Sequence, residues 1–380
     1  MDLNITNEQK KIQEDIITFC KKELNTKDGS KPKGFSRDLW TKCAHKKLTA
    51  LTIDIKYGGA GLDGISTILA LEAFGYGCED GGLSFSVAAH LLATNLPIWK
   101  FGSESQKQQL VTALSNGSKI GANAITEHAS GSDVFTMNTE AILKNEHYII
   151  NGNKTYISNG KNADIILLYA VTNKDKGYYG GITPFLIHSN EVGFNVEKDF
   201  EKMGLESCDM SELTFKNVKL DSNNILNEVG SGATIFNYSM EWERIGMSAI
   251  HIGIMQRIIE QTIEFTKNRQ AQGELLSKKQ AISHKIAEMK VRLEAGRMLT
   301  YKAALGLDKN KNNAIHASIA KLFVSESYIK TATDCVQIFG AAGYLKSNPI
   351  ESVLRDSFAS TLYSGTTEIQ KNIIASILEL

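Results

Sequence analysis

The sequence carries no charge excess: across its 380 residues, 42 basic side chains balance 42 acidic ones. Without a basic surplus it lacks the electrostatic footprint that nucleic-acid phosphates demand. The five cysteines, Cys20, Cys43, Cys78, Cys208 and Cys335, are odd in number and scattered, with no CxxC pair. That argues against a disulfide framework or a zinc cluster, predicts no metal site and fits a reducing cytoplasm. No apolar run reaches the roughly 18 residues needed to cross a bilayer. The opening MDLNITNEQKK lacks the basic-then-apolar order of a secretory signal, so a cytoplasmic protein with no membrane insertion is expected. Proline is scarce, with only four residues. None falls between Pro184 and Pro349, which leaves that stretch free for long helices.

The residues present divide the chain into three textures. Residues 1–120 read as helical. Thr6 and Gln9 have capping-box spacing, and glycine turns are predicted at Gly58-Gly59 and Gly81-Gly82. Residues 121–228 read as β. HYIINGNKTYIS is two strand-like runs around Asn151-Gly152, which predicts a hairpin there because both turn positions favour positive φ. ADIILLYAV, TPFLIHS and SELTFKNVKL follow as strands. Residues 229–380 turn helical again. Ile282, Ile286, Met289 and Leu293 form one helix face, and DKNKNNA at 308–314 reads as a loop between two long helices.

Five segments carry residues suited to a flat, phosphorylated ligand. Ala124–Asp133 (AITEHASGSD) is a hydroxyl-rich loop at the mouth of the β region. In Asn151–Gly160 (NGNKTYISNG), Tyr156 can stack on a ring and Ser158 can bond its edge. Arg269, in RQAQG, offers a guanidinium fork to a pyrophosphate. QIFGAAG at 337–343 lets a ligand approach the backbone. Tyr363–Gln370 (YSGTTEIQ) opens the last helix, whose first N–H groups suit an anion or carbonyl oxygen. Taken singly, each has an ordinary structural explanation as a turn, hairpin, solvated arginine, helix stop or cap made by Thr366 or Thr367.

In this order, together with YGGAGL at 57–62, KMGL at 202–205 and Glu243-Arg244, the segments resemble the acyl-CoA dehydrogenase family over the whole chain. The resemblance implies an α+β fold. Its parts are an N-terminal helical domain (1–120), a middle β-barrel or sandwich domain (121–228) and a C-terminal four-helix bundle (229–380). It implies a homotetramer binding FAD. Ile125 and Thr126, then Tyr156 and Ser158, match positions against the flavin. Thr366 and Glu368 match contacts in the final turn. Arg269, Gln272, Gln337 and Gly340 match contacts to the FAD of a neighbouring subunit. Ser132, Arg244 and Tyr363 match positions beside a thioester substrate. Two residues depart from the pattern. Gln272 stands where an aromatic is usual, and His128 replaces a proline and reads as loop variation.

The implied reaction removes an α-proton and a β-hydride from an acyl thioester, and it needs a base. Many family members place glutamate where this chain has Ser364, and serine cannot serve without its own activating base. The resemblance offers a second position, Glu243, with Glu241 as a decoy two residues away on the helix. The backbone N–H of Ser364 remains as a donor to the thioester carbonyl. GYGCEDGGLSF, SMEWERIG and LYSGTTEIQKNIIA are similar to a branch acting on acyl or aminoacyl groups held on a carrier protein's phosphopantetheine arm. An ordinary acyl-CoA dehydrogenase, a flavin oxidase or monooxygenase, and a non-catalytic flavin-binding protein stay open, as does the electron acceptor.

Overall fold

The computed structural model describes residues 5–26, 33–309 and 313–380. The predicted order of helices, sheet and helices is present. Helix α1 (Asn7–Phe19) starts with the expected capping box, in which Thr6 and Gln9 bond reciprocally. Gly58 takes φ +85°, as its turn requires, and caps a short 3₁₀ segment. Gly81-Gly82 does not form a turn. Asp80 accepts the Leu83 N–H, and the two glycines open helix α3 (Gly81–His90), which follows α2 (Gly64–Gly77). Side chains are excluded there because a Cβ on Gly82 would stand 2.7 Å from the Ser207 nitrogen.

The sheet has seven strands: β1 (Gly121–Ala124), β2 (Glu140–Lys144), β3 (His147–Ser158), β4 (Ile165–Val171), β5 (Ile182–His188), β6 (Phe194–Asp199) and β7 (Met210–Leu220). They run β1-β4-β2-β3-β7-β6, with β5 on the other side of β4. The predicted hairpin at Asn151-Gly152 is absent, because HYIINGNKTYIS is the single strand β3. The turn lies earlier, at Asn145 (φ 47°) and Glu146 (φ 70°), and joins β2 to β3. Asn151-Gly152 instead marks a register shift against β7, and a Cβ on Gly152 would meet Thr139 Oγ1 at 2.4 Å. The glycine answers a close approach and a bulge, not a reversal.

Strand β4 is a continuous apolar run because both its faces are covered. Ile166, Leu168 and Ala170 pack into the sheet's own core. Ile165, Leu167 and Tyr169 join the larger core shared with the helices.

The C-terminal region holds α4 (Gly232–Asn268), α5 (Gln280–Ala304), α6 (Ala314–Phe339), α7 (Pro349–Ala359) and α8 (Thr367–Ile377). Met289 and Leu293 are buried as expected, with Ile282 and Ile286 packed against them. Of the DKNKNNA loop, residues 310–312 lie outside the described residues, and Asn313 holds Ala303 O through its side-chain amide at 2.7 Å. At 1.5 Å per residue, the 37 residues of α4 span roughly 55 Å. Where α2 crosses α4, backbones nearly touch. Added Cβ atoms on Gly75 and Gly253 would stand 2.1 Å from Ile250 O and Glu72 O. Beside this crossing the buried Glu72 accepts from Arg297 Nε (2.9 Å) and Tyr301 OH (2.7 Å), tying α2 to α5.

Because the obstacle at Gly253 is backbone, Gly253→Ala must part the two helices. Chemical denaturation should show a loss of about 1–3 kcal/mol or more, as for overpacked cores. Gly273→Ala, where a Cβ meets nothing but φ is +76°, should cost less.

Candidate active site

The site forms where all three regions meet α4. Glu243 is 7% exposed. Near it Ser239 Oγ bonds Leu92 O from the N-terminal region at 3.2 Å. From the sheet, the Tyr169 ring packs against Phe236 with centroids 5.9 Å apart. From the C-terminal turn, Ser364 Oγ donates to Glu243 Oε1 at 2.5 Å. Glu241 goes elsewhere: it bonds Asn313, as its angular separation from Glu243 on the helix requires.

Ser364 adopts φ +55°, an uncommon conformation for a side-chain-bearing residue. Three buried or half-buried donors hold it there. Arg244 Nε bonds Ser364 O at 3.1 Å, and Lys321 Nζ bonds Gly365 O at 2.6 Å. Gln370 Nε2 takes both carbonyls, at 3.0 and 2.9 Å. With its carbonyls tied down, the turn leaves the Ser364 N–H without an acceptor among the described residues. Tyr363, beside it, bonds His251 Nε2 through its hydroxyl at 2.6 Å and packs on Phe85 at 4.6 Å. Burial raises the pKa of Glu243 above the ordinary glutamate value. The Ser364 hydrogen bond and the nearby Arg244 and Lys321 cations pull it part of the way back. Burial and Arg244 lower Lys321 to about 8.

The β-region residues form a second group. Ile125 O receives the buried Lys154 ammonium at 2.8 Å, and the same ammonium bonds Glu127 at 2.8 Å. Glu127 also accepts the N–H of Thr139 at 2.9 Å. Thr126 O takes the Thr155 N–H at 2.9 Å. This bracing presents Tyr156, at φ +58° and 52% exposed, with Ser158 two residues on. A large aromatic ring held half in solvent by a buried ion pair suits a stacked planar ligand. His128 meets Glu212 at 3.2 Å and the edge of Tyr156, a surface contact. Ser132 is exposed on the same loop. Thr366 caps α8 by accepting the Ile369 N–H, and Glu368 lies exposed in that helix's first turn.

Arg269 and Gln272 stand apart. They follow the far end of α4, and the 26 residues from Glu243 to Arg269 correspond to roughly 39 Å of helix. Gln272 (φ 55°) and Gly273 (φ 76°) make the turn of a two-strand ribbon. Gln337 and Gly340 belong to this same end, because Phe339 stacks on Phe265 at 4.1 Å. The ten cofactor candidates therefore form separate clusters within one chain. Lys321, Gln370, Lys154 and His251 were not singled out from the sequence. Lys154 in a strand and His251 in an apolar helical stretch were the available signals.

Comparison with known proteins gives the family. The family's N-terminal, middle and C-terminal domain descriptions match residues 6–118, 122–218 and 230–378. The chain belongs to the acyl-CoA dehydrogenase family. L-prolyl-[peptidyl-carrier protein] dehydrogenase of Pseudomonas fluorescens is 37% identical to it, with both chains fully covered. Among solved structures, prolyl acyl carrier protein oxidase AnaB superposes with a TM-score of 0.96 at 36% identity, covering 99% of this chain and 100% of AnaB. PigA with FAD and proline superposes at 0.97 with 34% identity, both chains covered throughout. Among the described residues no helix is long and apolar enough to cross a membrane.

The environment of Glu243 has a consequence for stability. Its folded-state pKa lies above the unfolded one, so the folded protein loses stability as pH rises through that window. Glu243→Gln should therefore raise the melting temperature at pH 7–8, and the gain should shrink on acidification. Equal melting temperatures across the pH range would show that the carboxylate is not strained.

Proposed function

We propose that this protein performs FAD-dependent α,β-dehydrogenation of an acyl thioester carried on the phosphopantetheine arm of a carrier protein. The observation that carries the reading is the buried Glu243 carboxylate held by the Ser364 hydroxyl, beside a backbone N–H that has no acceptor among the described residues. Burial keeps the carboxylate basic, which suits removal of a weakly acidic α-proton. The Ser364 N–H, fixed by the clamp on its turn, donates to the thioester carbonyl as negative charge develops there. Glu243 takes the α-proton onto its carboxylate. FAD held there would supply the acceptor for the hydride of the β-carbon. Ile125, Thr126, Tyr156 and Ser158 would hold its ring, and Thr366 and Glu368 its approach to the last helix. Ser132, Arg244 and Tyr363 line the thioester side.

Arg269, Gln272, Gln337 and Gly340 would serve the FAD of a second copy, because roughly 39 Å of helix separates Arg269 from Glu243 in one chain. This supports a homo-oligomer, a tetramer by resemblance. The carrier-protein substrate rests on the names of the relatives above. The oxidase named among them keeps oxygen open as electron acceptor beside a partner flavoprotein. Lys278 and Lys279, which follow the Arg269 ribbon, could dock an acidic carrier, but Lys279 already pairs with Glu274 at 3.1 Å. That leaves Lys278 as the better candidate.

Glu243→Gln should retain FAD and reduce the rate of flavin reduction in single turnover by about 10²–10⁴-fold. Ser364→Ala should lose less, about tenfold, and its acid limb should move to higher pH because the carboxylate loses a stabilising donor. Near-normal flavin reduction by Glu243→Gln would remove the base assignment.

Mixing separately inactive Glu243→Gln and Arg269→Ala subunits should restore activity if each FAD site is shared between chains. No restoration in mixed oligomers would place the site within one chain. Presenting one acyl group on a carrier protein and on CoA should give higher kcat/KM for the carrier form, with a salt-sensitive preference.

A further inference from the structure

Two buried charges from different helices hold adjacent residues of one turn. Lys154 and Lys321 are the buried lysines among the described residues, and their surroundings differ. Lys154 has the Glu127 carboxylate at 2.8 Å. Lys321, on α6 and 3% exposed, has no ion-pair contact among the described residues. Its ammonium donates to Gly365 O at 2.6 Å. Glu243, on α4, likewise has no ion-pair contact among them and accepts the hydroxyl of Ser364, the residue before Gly365. An ammonium and a carboxylate, both out of water, are therefore lodged on the same turn. The other charges that act on Lys321 are Arg244 from α4, Glu368 from α8 and Glu326 from α6 itself. Glu368 and Glu326 are exposed, so water screens them. His251, also on α4, acts on it as an uncharged ring, because burial lowers the His251 pKa to about 3. Glu243 is thus the buried carboxylate in the field of Lys321.

We propose that Lys321 is a positioning residue for proton transfer: its ammonium, seated on the turn that carries Ser364, is the titratable counter-charge that keeps Glu243 ionised at neutral pH. The inference rests on the reading of Glu243 as the base and adds the residue that sets the pH range in which that base works. Burial alone favours a protonated carboxyl, which cannot accept the α-proton. The Ser364 hydrogen bond, Arg244 and Lys321 oppose burial. Arg244 contributes a fixed charge, because a guanidinium does not titrate in this range. Lys321 can lose its charge: burial, then the Arg244 cation, lowers its pKa to about 8. A neutral amine still donates to Gly365 O, so deprotonation removes the field at Glu243 without releasing the turn.

The test has two readouts. The first is the pH profile of single-turnover flavin reduction in FAD-loaded protein, with the prolyl thioester of pantetheine as probe. The acid limb, where Glu243 loses its proton, should move up by about one pH unit in Lys321→Met, with the plateau above it little changed. Lys321→Arg, which keeps the charge, should return the limb toward the wild-type position. A turn that has merely loosened would lower the rate at every pH and leave the limb in place, which overturns the proposal. The second readout is the melting temperature and needs no substrate. The gain from Glu243→Gln at neutral pH should be larger in the Lys321→Met background than in the wild type, because the carboxylate there lacks its counter-charge. With Lys321 intact, that gain should grow further as pH rises through about 8. This pH series carries the test by itself if Lys321→Met does not fold. Equal gains with and without the ammonium, and no growth through that range, overturn the counter-charge role. Near-normal flavin reduction by Glu243→Gln overturns the base reading instead, and the melting comparison still decides whether the two charges are coupled.

Discussion

The hydrogen bond from Ser364 to Glu243 joins two segments 121 residues apart, and the rest of the site is arranged around it. One partner lies on a long rigid helix, the other in a turn whose backbone is left-handed. Such a turn does not hold itself, because a non-glycine residue there costs of order 1–3 kcal/mol. Arg244, Lys321 and Gln370 offset that cost by binding its two carbonyls. The same clamp leaves the Ser364 N–H without an acceptor among the described residues. Three regions of the chain must fold before this geometry exists, and the glycine-tight crossing of α2 over α4 lies about two to three turns from the base.

The length of α4 divides the chemistry. One end carries Glu243 and Arg244, and the other leads into Arg269 and its exposed ribbon. A single helix cannot bring both ends to one small ligand, and nothing in α4 kinks it. In the assembly proposed above, a second copy brought alongside would resolve the separation without bending anything. The neutral surface charge is compatible with such association, since no excess of one sign opposes it.

Much of this was legible in the sequence. The order α, β, α, the apolar face from Ile282 to Leu293 and the capping box at Thr6 follow from periodicity and local hydrogen bonding, and all three are present. The misplaced hairpin has a physical reason. Asn-Gly reports a need for positive φ or for space, and a bulge against Thr139 satisfies that need as well as a turn does. The real turn, Asn145-Glu146, lacks glycine and so gave a weaker signal. At the site, the loop residues were legible as motifs. Lys154 and Lys321 were not, because a lysine reads as solvated unless its buried acceptors are known. Ile125 O and Gly365 O, the carbonyls they satisfy, are backbone atoms that no residue pattern reveals.

Moving the proposed base from position 364 to 243 changes what the site requires. A glutamate at 364 would hang from a strained turn and need the flexibility of its own side chain to reach the substrate. At 243 it projects from a helix fixed by backbone contact, so its position is set by the core. The side chain at 364 is then released from proton transfer and can be a small hydroxyl. That hydroxyl is short enough to leave space and polar enough to steady the carboxylate. It also lowers the basicity of Glu243 against the effect of burial. The balance between the two determines how readily the carboxylate accepts a proton at neutral pH. A glutamate at both positions would place two carboxylates in one buried space, where like charge forces one of them to stay protonated. The serine at 364 and the glutamate at 243 are therefore one physical choice expressed at two positions.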